Sequence, residues 1–355
     1  MGNFDEALER FHLGDLEYSG GLANHGPMGA EALERLGHQA MIPAFLGLYA
    51  PRVPIAEKGQ PLSEIEQIET LGDVGRSVDW VATYEDRLLE GDWRAVVAES
   101  VPKLVPGIFA GAGHGLLRTA HAVRSLEALD SPLRRRELAR GLAYWSARFQ
   151  RLPGRLGIGE VRPLDAVASL SSWPLVGEVE SRSGFFFDSV RRLDSFPAFA
   201  RAIEQIALPD PDEVDEFISG LCRAAAALYL EHPHLRIVYV HALTIPSAAR
   251  LLLGALPESE VSLLAAAVFQ ASMAMHSIFG GEGAGPEPES DEEVERVSRS
   301  WDEIRYHAAC SLQEHAIKMA EACWREDRVR EDLIFRQAAA DAALKIDARG
   351  QAAGC

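Results

Sequence analysis

The chemistry in this chain is carried by imidazole and by one lysine. Eleven histidines stand in 355 residues, and seven of them, His25, His114, His121, His241, His276, His307 and His315, lie in apolar or Gly/Pro-punctuated segments rather than on charged runs. A neutral imidazole is a ligand for iron, copper and zinc and a proton acceptor near neutral pH, so such a set points to a metal or to acid–base work. Lysine occurs only as Lys58, Lys103, Lys318 and Lys345. Lys318 lies in the stretch Trp301–Trp324, WDEIRYHAACSLQEHAIKMAEACW, whose pattern predicts one long helix. At about 100° per residue His315 and Lys318 lie roughly 60° apart and His307 roughly 20° from Lys318, so two imidazoles and an amine share a face, with Glu314 beside them. A solvated surface helix would show the same pattern, so the stretch gains meaning only from the rest of the chain.

Several other chemistries are not supported. No G-x-S-x-G elbow is present for a serine hydrolase, and the Glu-x-x-His spacings that occur, Glu9–His12 and Glu231–His234 with Pro233 inside it, do not make the paired helical turns of a di-iron centre. Gly111-x-Gly113 begins a dinucleotide fingerprint, but its sixth position is Leu116 and no βαβ pattern surrounds it, so NADPH is not expected to be bound by this chain. Cys222, Cys310, Cys323 and Cys355 form no CxxC pair, which suggests neither a zinc knuckle nor a disulfide framework and fits a reducing cytoplasm.

The elements that must position these residues read as helices. Residues 1–23 predict a short amphipathic helix and a break at Ser19-Gly20-Gly21. His25 then falls at the mouth of a helix in which Asn24 can cap and Pro27 suits an early position. Residues 49–78, with Pro51, Pro54, Gly59 and Pro61, predict an irregular connection. A helix is expected from Asp79, as its cap, to Val105. Another runs from the Gly111–Gly115 turn to about Leu129, with His114 and His121 nearly on one face and Arg118 between them. Residues 131–149 predict a helix with Arg134 to Arg136 outward. Helices follow over 195–207, 211–230, 235–246 with Pro246 inside, 256–279 and 337–346. Spacing alone does not say which histidines converge.

The expectation is therefore all-α: a single large helical domain over 1–355 with long irregular connections, a possible subdivision near 152–174, a flexible loop at 280–291 and a loose tail at 347–355. With 47% hydrophobic and 25% charged residues a large core can be buried. The net charge of −18 repels phosphate backbones and argues against nucleic acid. No signal-like start or uninterrupted apolar run of membrane-spanning length is found, so no membrane association is expected. The sequence assigns no oligomeric state.

Taken together, Asn24-His25-Gly26-Pro27-Met28, the segment from Gly113-His114-Gly115 through Arg118 and His121 to Arg124, Val240-His241-Ala242-Leu243-Thr244, and Glu314-His315-Ala316-Ile317-Lys318 resemble the questin oxidase family, in the family's order, from about residue 20 to about residue 325. Members of that family are helical enzymes that oxidatively open anthraquinone-type rings of aromatic polyketides. Some are described as NADPH-dependent Baeyer–Villiger-type oxidases. At least one kind is similar to a non-haem iron dioxygenase that uses several histidines and a carboxylated lysine. The resemblance implies His25, His114, His241 and His315 as imidazole ligands of Fe(II) and Lys318, N-carboxylated, as an anionic oxygen ligand. Arg118, His121, His307 and Glu314 become candidates for catalytic or orienting roles, with His121 and His307 as further candidate ligands. The function so implied is oxygen-dependent cleavage of a carbon–carbon bond in an anthraquinone or anthrahydroquinone, with electrons from the substrate or a separate reductase. The alternatives are a metal-free NADPH-dependent Baeyer–Villiger-type oxygenase and a non-catalytic polyketide-binding protein.

Overall fold

The structure, a computed structural model, describes residues 3–177, 185–281 and 291–346. Most of the expected loop at 280–291 and all of the expected tail at 347–355 lie outside the described residues. The chain is all-α, with one two-residue hairpin as its sheet among the described residues. Contacts divide it into two compact units, Met1–Arg151 with Leu251–Pro257, and Leu152–Arg250 with Glu258–Cys355.

In the first unit α1 (Asn3–Phe11) buries Phe4, Ala7, Leu8 and Phe11, an apolar stripe at helical spacing. The break after it is a hairpin that the sequence reading did not include: β1 (Glu17–Tyr18) pairs antiparallel with β2 (Leu22–Ala23), and Ser19 and Gly20 take left-handed φ of 49° and 82° to turn the chain. Then come α2 (Gly26–Arg35) and α3 (Ile42–Tyr49). The connection expected to be irregular contains α4 (Glu64–Glu69), started by a capping box in which Ser63 and Glu66 satisfy each other's backbone N–H groups. The helix expected from Asp79 to Val105 is two helices, α5 (Ser77–Glu90) and α6 (Trp93–Leu104). The chain extends at Gly91 and Asp92 caps the second by accepting from the Arg94 N–H at 3.0 Å. Asp79 is no cap; it accepts from the Gln60 N–H at 2.8 Å and pairs with Arg76.

The centre of this unit is the pair α7 (His114–Ala128) and α8 (Pro132–Ala147). They approach closely because Gly115 lies against Trp145, where an added Cβ would stand 2.6 Å from the Trp145 Cα. Trp145 is fully buried and donates its Nε1–H to the Gly107 carbonyl at 3.1 Å. Arg134, expected to face outward, is buried: it donates to Asp5 at 3.1 Å and to the Ser125 carbonyl at 2.8 Å, with Phe4 under its guanidinium. The same helix holds the rest of the N-terminal segment, through Arg140 to the Gly14 carbonyl, Tyr144 to Glu17 at 2.8 Å, and Glu137 with His12 at 3.2 Å. Arg148, just past its end, grips Glu17 with two bonds of 2.6 Å.

In the second unit α9 (Pro163–Ala168), α10 (Phe186–Ser189) and α11 (Pro197–Glu204) precede the long helices α12 (Val214–Glu231), α13 (Arg236–Ala249) and α14 (Glu258–Phe279). Burial overrides the β-branched propensity of α13, which packs on both neighbours. The helix continues through Pro246, whose missing N–H would leave the Ala242 carbonyl without its intrahelical donor; the Ser272 hydroxyl of α14 supplies one at 2.9 Å. The stretches Pro233–Ala255 and Glu258–Phe279 are long and apolar enough to cross a bilayer, and 72% and 94% of their apolar windows are buried in protein. They are therefore accounted for as core helices.

After α15 (Glu292–Val297), the predicted helix Trp301–Trp324 is two, α16 (Trp301–Ser311) and α17 (Glu314–Val329). Leu312 takes φ 52° and ends the first, and Gln313, extended, starts the second. The angular relation of His307 to Lys318 is lost with that break, because the two stand on different helices. Last, α18 (Leu333–Lys345) packs on α12, α16 and α17.

Candidate functional site

Within the first unit, His25 and His114 are brought together although 89 residues separate them. His25 precedes α2, where its backbone N–H donates to the Tyr49 hydroxyl at 2.7 Å and the Asn24 side chain accepts from the Gly26 N–H at 3.0 Å. His114 opens α7 after three consecutive left-handed residues, Gly111, Ala112 and Gly113, at φ 54°, 58° and 84°. That turn costs backbone energy, most at Ala112, and it folds the Gly111 carbonyl back onto the imidazole.

The tautomers follow from the carbonyls. His25 Nδ1 lies 2.6 Å from the Ala23 oxygen and His114 Nδ1 lies 2.5 Å from the Gly111 oxygen. A carbonyl oxygen only accepts, so each Nδ1 carries the proton and each neutral ring presents an Nε2 lone pair. The two Nε2 atoms stand 2.7 Å apart, with ring planes 75° from parallel. Two lone pairs at that distance repel unless a cation, a shared proton or a metal ion, serves both. Two nitrogen ligands at right angles on a metal about 2.1 Å away would stand about 3 Å apart. The donor type, tautomers and spacing of this pair fit a metal ion. Both rings are buried.

The two other candidates on α7 are already engaged in ion pairs. His121 Nδ1 lies 2.8 Å from Glu31, which also pairs with Arg124 and, at 2.9 Å, with Arg35. Burial pushes the Glu31 carboxyl upward, but Arg124 and His121 outweigh it and hold it well below the usual range, so it is an anion. Arg118 makes a two-pronged pair with Glu137, at 2.6 and 2.9 Å, and His12 donates to the same carboxylate. Glu31 and Glu137 are thus central to this region. The sequence offered no signal for either, since both pairings join distant segments.

Within the second unit, His241 and His315 face each other with ring centroids 5.3 Å apart. His241 Nδ1 bonds to the Ile237 carbonyl one turn back at 2.7 Å, so its Nε2 also presents a lone pair. Burial, then the positive charge of Lys318, lower its pKa to about 3, and the ring is neutral. The Phe186 ring stands edge-on to it at 5.5 Å. Lys318, fully buried, follows His315 by one turn of α17, and buried Glu314 begins that helix. The buried Thr244 hydroxyl, one turn beyond His241 on α13, has no hydrogen-bond partner among the described residues. His307 stands half-buried on α16, against the Tyr306 ring at 5.8 Å.

His276 is used otherwise. Its Nδ1 lies 2.9 Å from the Tyr239 hydroxyl, and burial lowers its pKa to about 4. It lines a cleft of about 610 Å³ whose walls include Leu164, Val167, Leu170 and Leu228. Arg223, Glu231 and His232 line it as well, so its wall is mixed in polarity.

A scan against protein-family models gives no match to this chain, and a search of curated proteins gives none. The class that the fold and donors define is a helical protein with buried neutral imidazoles suited to a transition metal.

Proposed function

We propose that this chain is a non-haem iron oxygenase that uses dioxygen to cleave a carbon–carbon bond of an aromatic polyketide of the anthraquinone or anthrahydroquinone type. The observation that carries the metal is the His25–His114 pair, whose tautomers are fixed by backbone carbonyls and whose Nε2 lone pairs stand 2.7 Å apart. The reaction class comes from the resemblance to the questin oxidase family.

In this reading, whose ligand set is the one the resemblance implies, His25, His114, His241 and His315 would hold Fe(II), with Lys318 N-carboxylated as the anionic ligand. Four neutral imidazoles and one carbamate leave the centre net positive, which suits a phenolate-type oxygen of the substrate. Iron, when bound, supplies the one-electron chemistry that dioxygen requires. The chain contributes orientation and dryness. The carbonyls of Ala23, Gly111 and Ile237 fix three imidazoles in one tautomer each, and the buried setting excludes water from these side chains. The ion pairs of His121 and Arg118 brace α7, and in this reading both act as positioning residues. Electrons come from a reduced hydroquinone substrate or a separate reductase.

Metal analysis of the purified full chain, with oxygen consumption in the presence of an anthrahydroquinone, tests this. About one iron per chain and a loss of oxygen consumption in Lys318→Ala are expected. A chain without iron, whose oxygen consumption is indifferent to Lys318→Ala, refutes it.

A further inference from the structure

Around Glu137 the first unit buries more positive than negative charge. Arg118 is 1% exposed, Arg140 4% and Glu137 3%. Glu137 is matched by the two-pronged bond from Arg118 and also accepts from His12, whose Nε2 must then carry the proton. Among the described residues no carboxylate bonds Arg140: one of its nitrogens donates to the Gly14 carbonyl. Two donors in this cluster, Arg118 Nη1 and Arg140 Nε, are buried without a hydrogen-bond partner among the described residues. His12 Nδ1 is likewise without one, but as the lone-pair side of a neutral ring it is no anion donor.

Buried guanidinium N–H groups without acceptors are costly, and a buried cation without a counter-charge is costlier still. A water molecule could accept the two N–H bonds, yet it would leave the charge unbalanced. The other nearby carboxylates attract Arg140 from a distance but do not bond it: Glu85 pairs with Arg136 at 2.7 Å and Asp15 accepts from the Leu16 N–H at 2.6 Å. From the excess charge and the two open donors we infer that this cluster is a buried site for one small monoanion, held by Arg118 Nη1 and Arg140 Nε. The electrostatics of Arg140 agree. Burial and then the charge of Arg118 draw its pKa down to about 10, against weaker attraction from Glu137, Glu85 and Asp15. Chloride and a small carboxylate such as formate share the required chemistry, a single negative charge and acceptor capacity for two N–H groups. Because Arg118 follows His114 by one turn of α7, an anion here would hold that helix in place from its charged side.

The test is the unfolding midpoint of the full chain in sodium chloride, bromide or formate against sodium gluconate at equal ionic strength. The expected result is a saturable rise on the order of 2 °C with the small anions, absent in Arg140→Met. Halide without formate identifies a spherical ion, formate without halide a carboxylate, and either supports the site. A midpoint indifferent to all three overturns it. Should Arg140→Met fail to fold, crystals of the unchanged chain grown in bromide decide the halide case. An anomalous peak beside Arg118 and Arg140 supports the site, and peaks confined to the surface, an adventitious ion only, overturn it.

Discussion

Replacing Glu137 by glutamine removes the one carboxylate that serves both Arg118 and His12 and leaves the volume almost unchanged. The magnitude follows from two routes. The carboxyl is fully buried, and although burial raises its pKa, Arg118 and His12 overcome that and bring it from 4.5 to about 2. A depression of that size corresponds to stabilisation on the order of 3 kcal/mol at neutral pH. Truncating one partner of a buried ion pair costs about 3–5 kcal/mol, which agrees. The sign is that of a lowered acid: the stabilisation is complete above the unfolded value of 4.5 and is lost as pH falls from there through about 2. The difference between the unchanged chain and Glu137→Gln is therefore expected to be about 3 kcal/mol at pH 7 and roughly 1.5 kcal/mol at pH 3. Urea unfolding followed by tryptophan fluorescence reads it, since buried Trp93 and Trp145 both report on the first unit. Equal stability of the two chains at pH 7, or a gap that stays constant down to pH 3, would refute the reasoning.

Other expectations separate ligands from neighbours. His114→Ala should abolish iron binding by metal analysis, whereas His121→Gln should keep iron and lose about 1 kcal/mol of stability, because buried Glu31 Oε2 loses one of its two donors and keeps the one from Arg124. Thr244→Val should raise the unfolding free energy by about 1 kcal/mol, since the hydroxyl it removes is buried without a partner; a loss of stability would contradict that. Gly115→Val should lower the unfolding midpoint by several degrees, with a cost of about 1–3 kcal/mol or more, because its new carbons meet the Trp145 backbone. Leu312→Ile should cost roughly 1–2 kcal/mol and Leu312→Asn much less, since φ 52° penalises β-branching and tolerates asparagine.

The helices were largely legible where local signals agree. Apolar periodicity marked α7, α8, α12 and α14, and glycine and proline marked where they begin. The Ser63–Glu66 capping box was equally local, and the prolines around it masked the signal of α4. Less legible was the end of α16, because Leu312 is a residue that usually continues a helix and adopts its left-handed conformation only under tertiary constraint. The outward reading of Arg134 failed for a similar reason: Asp5, 129 residues away, supplies the charge that lets it be buried. Around the candidate site, residue type was informative and partnership was not. His121 and Arg118 have the spacing of site residues on α7, but Glu31 and Glu137, which engage them, come from α2 and α8, and no sequence pattern records such long-range pairings.

The bonds from α8 to the N-terminal segment bear on how the protein is made. Asp5, His12, Gly14 and Glu17 find their partners 125 to 131 residues downstream, on α8 or just past its end. A ribosome adding about 5–20 residues per second would leave those residues without their partners for roughly 6–25 s. During that interval α1, with Phe4, Leu8 and Phe11 on its apolar face, waits for the helix that secures it. Changes that slow the emergence of α8, or weaken its grip once it arrives, should therefore reduce the yield of folded chain more than its final stability.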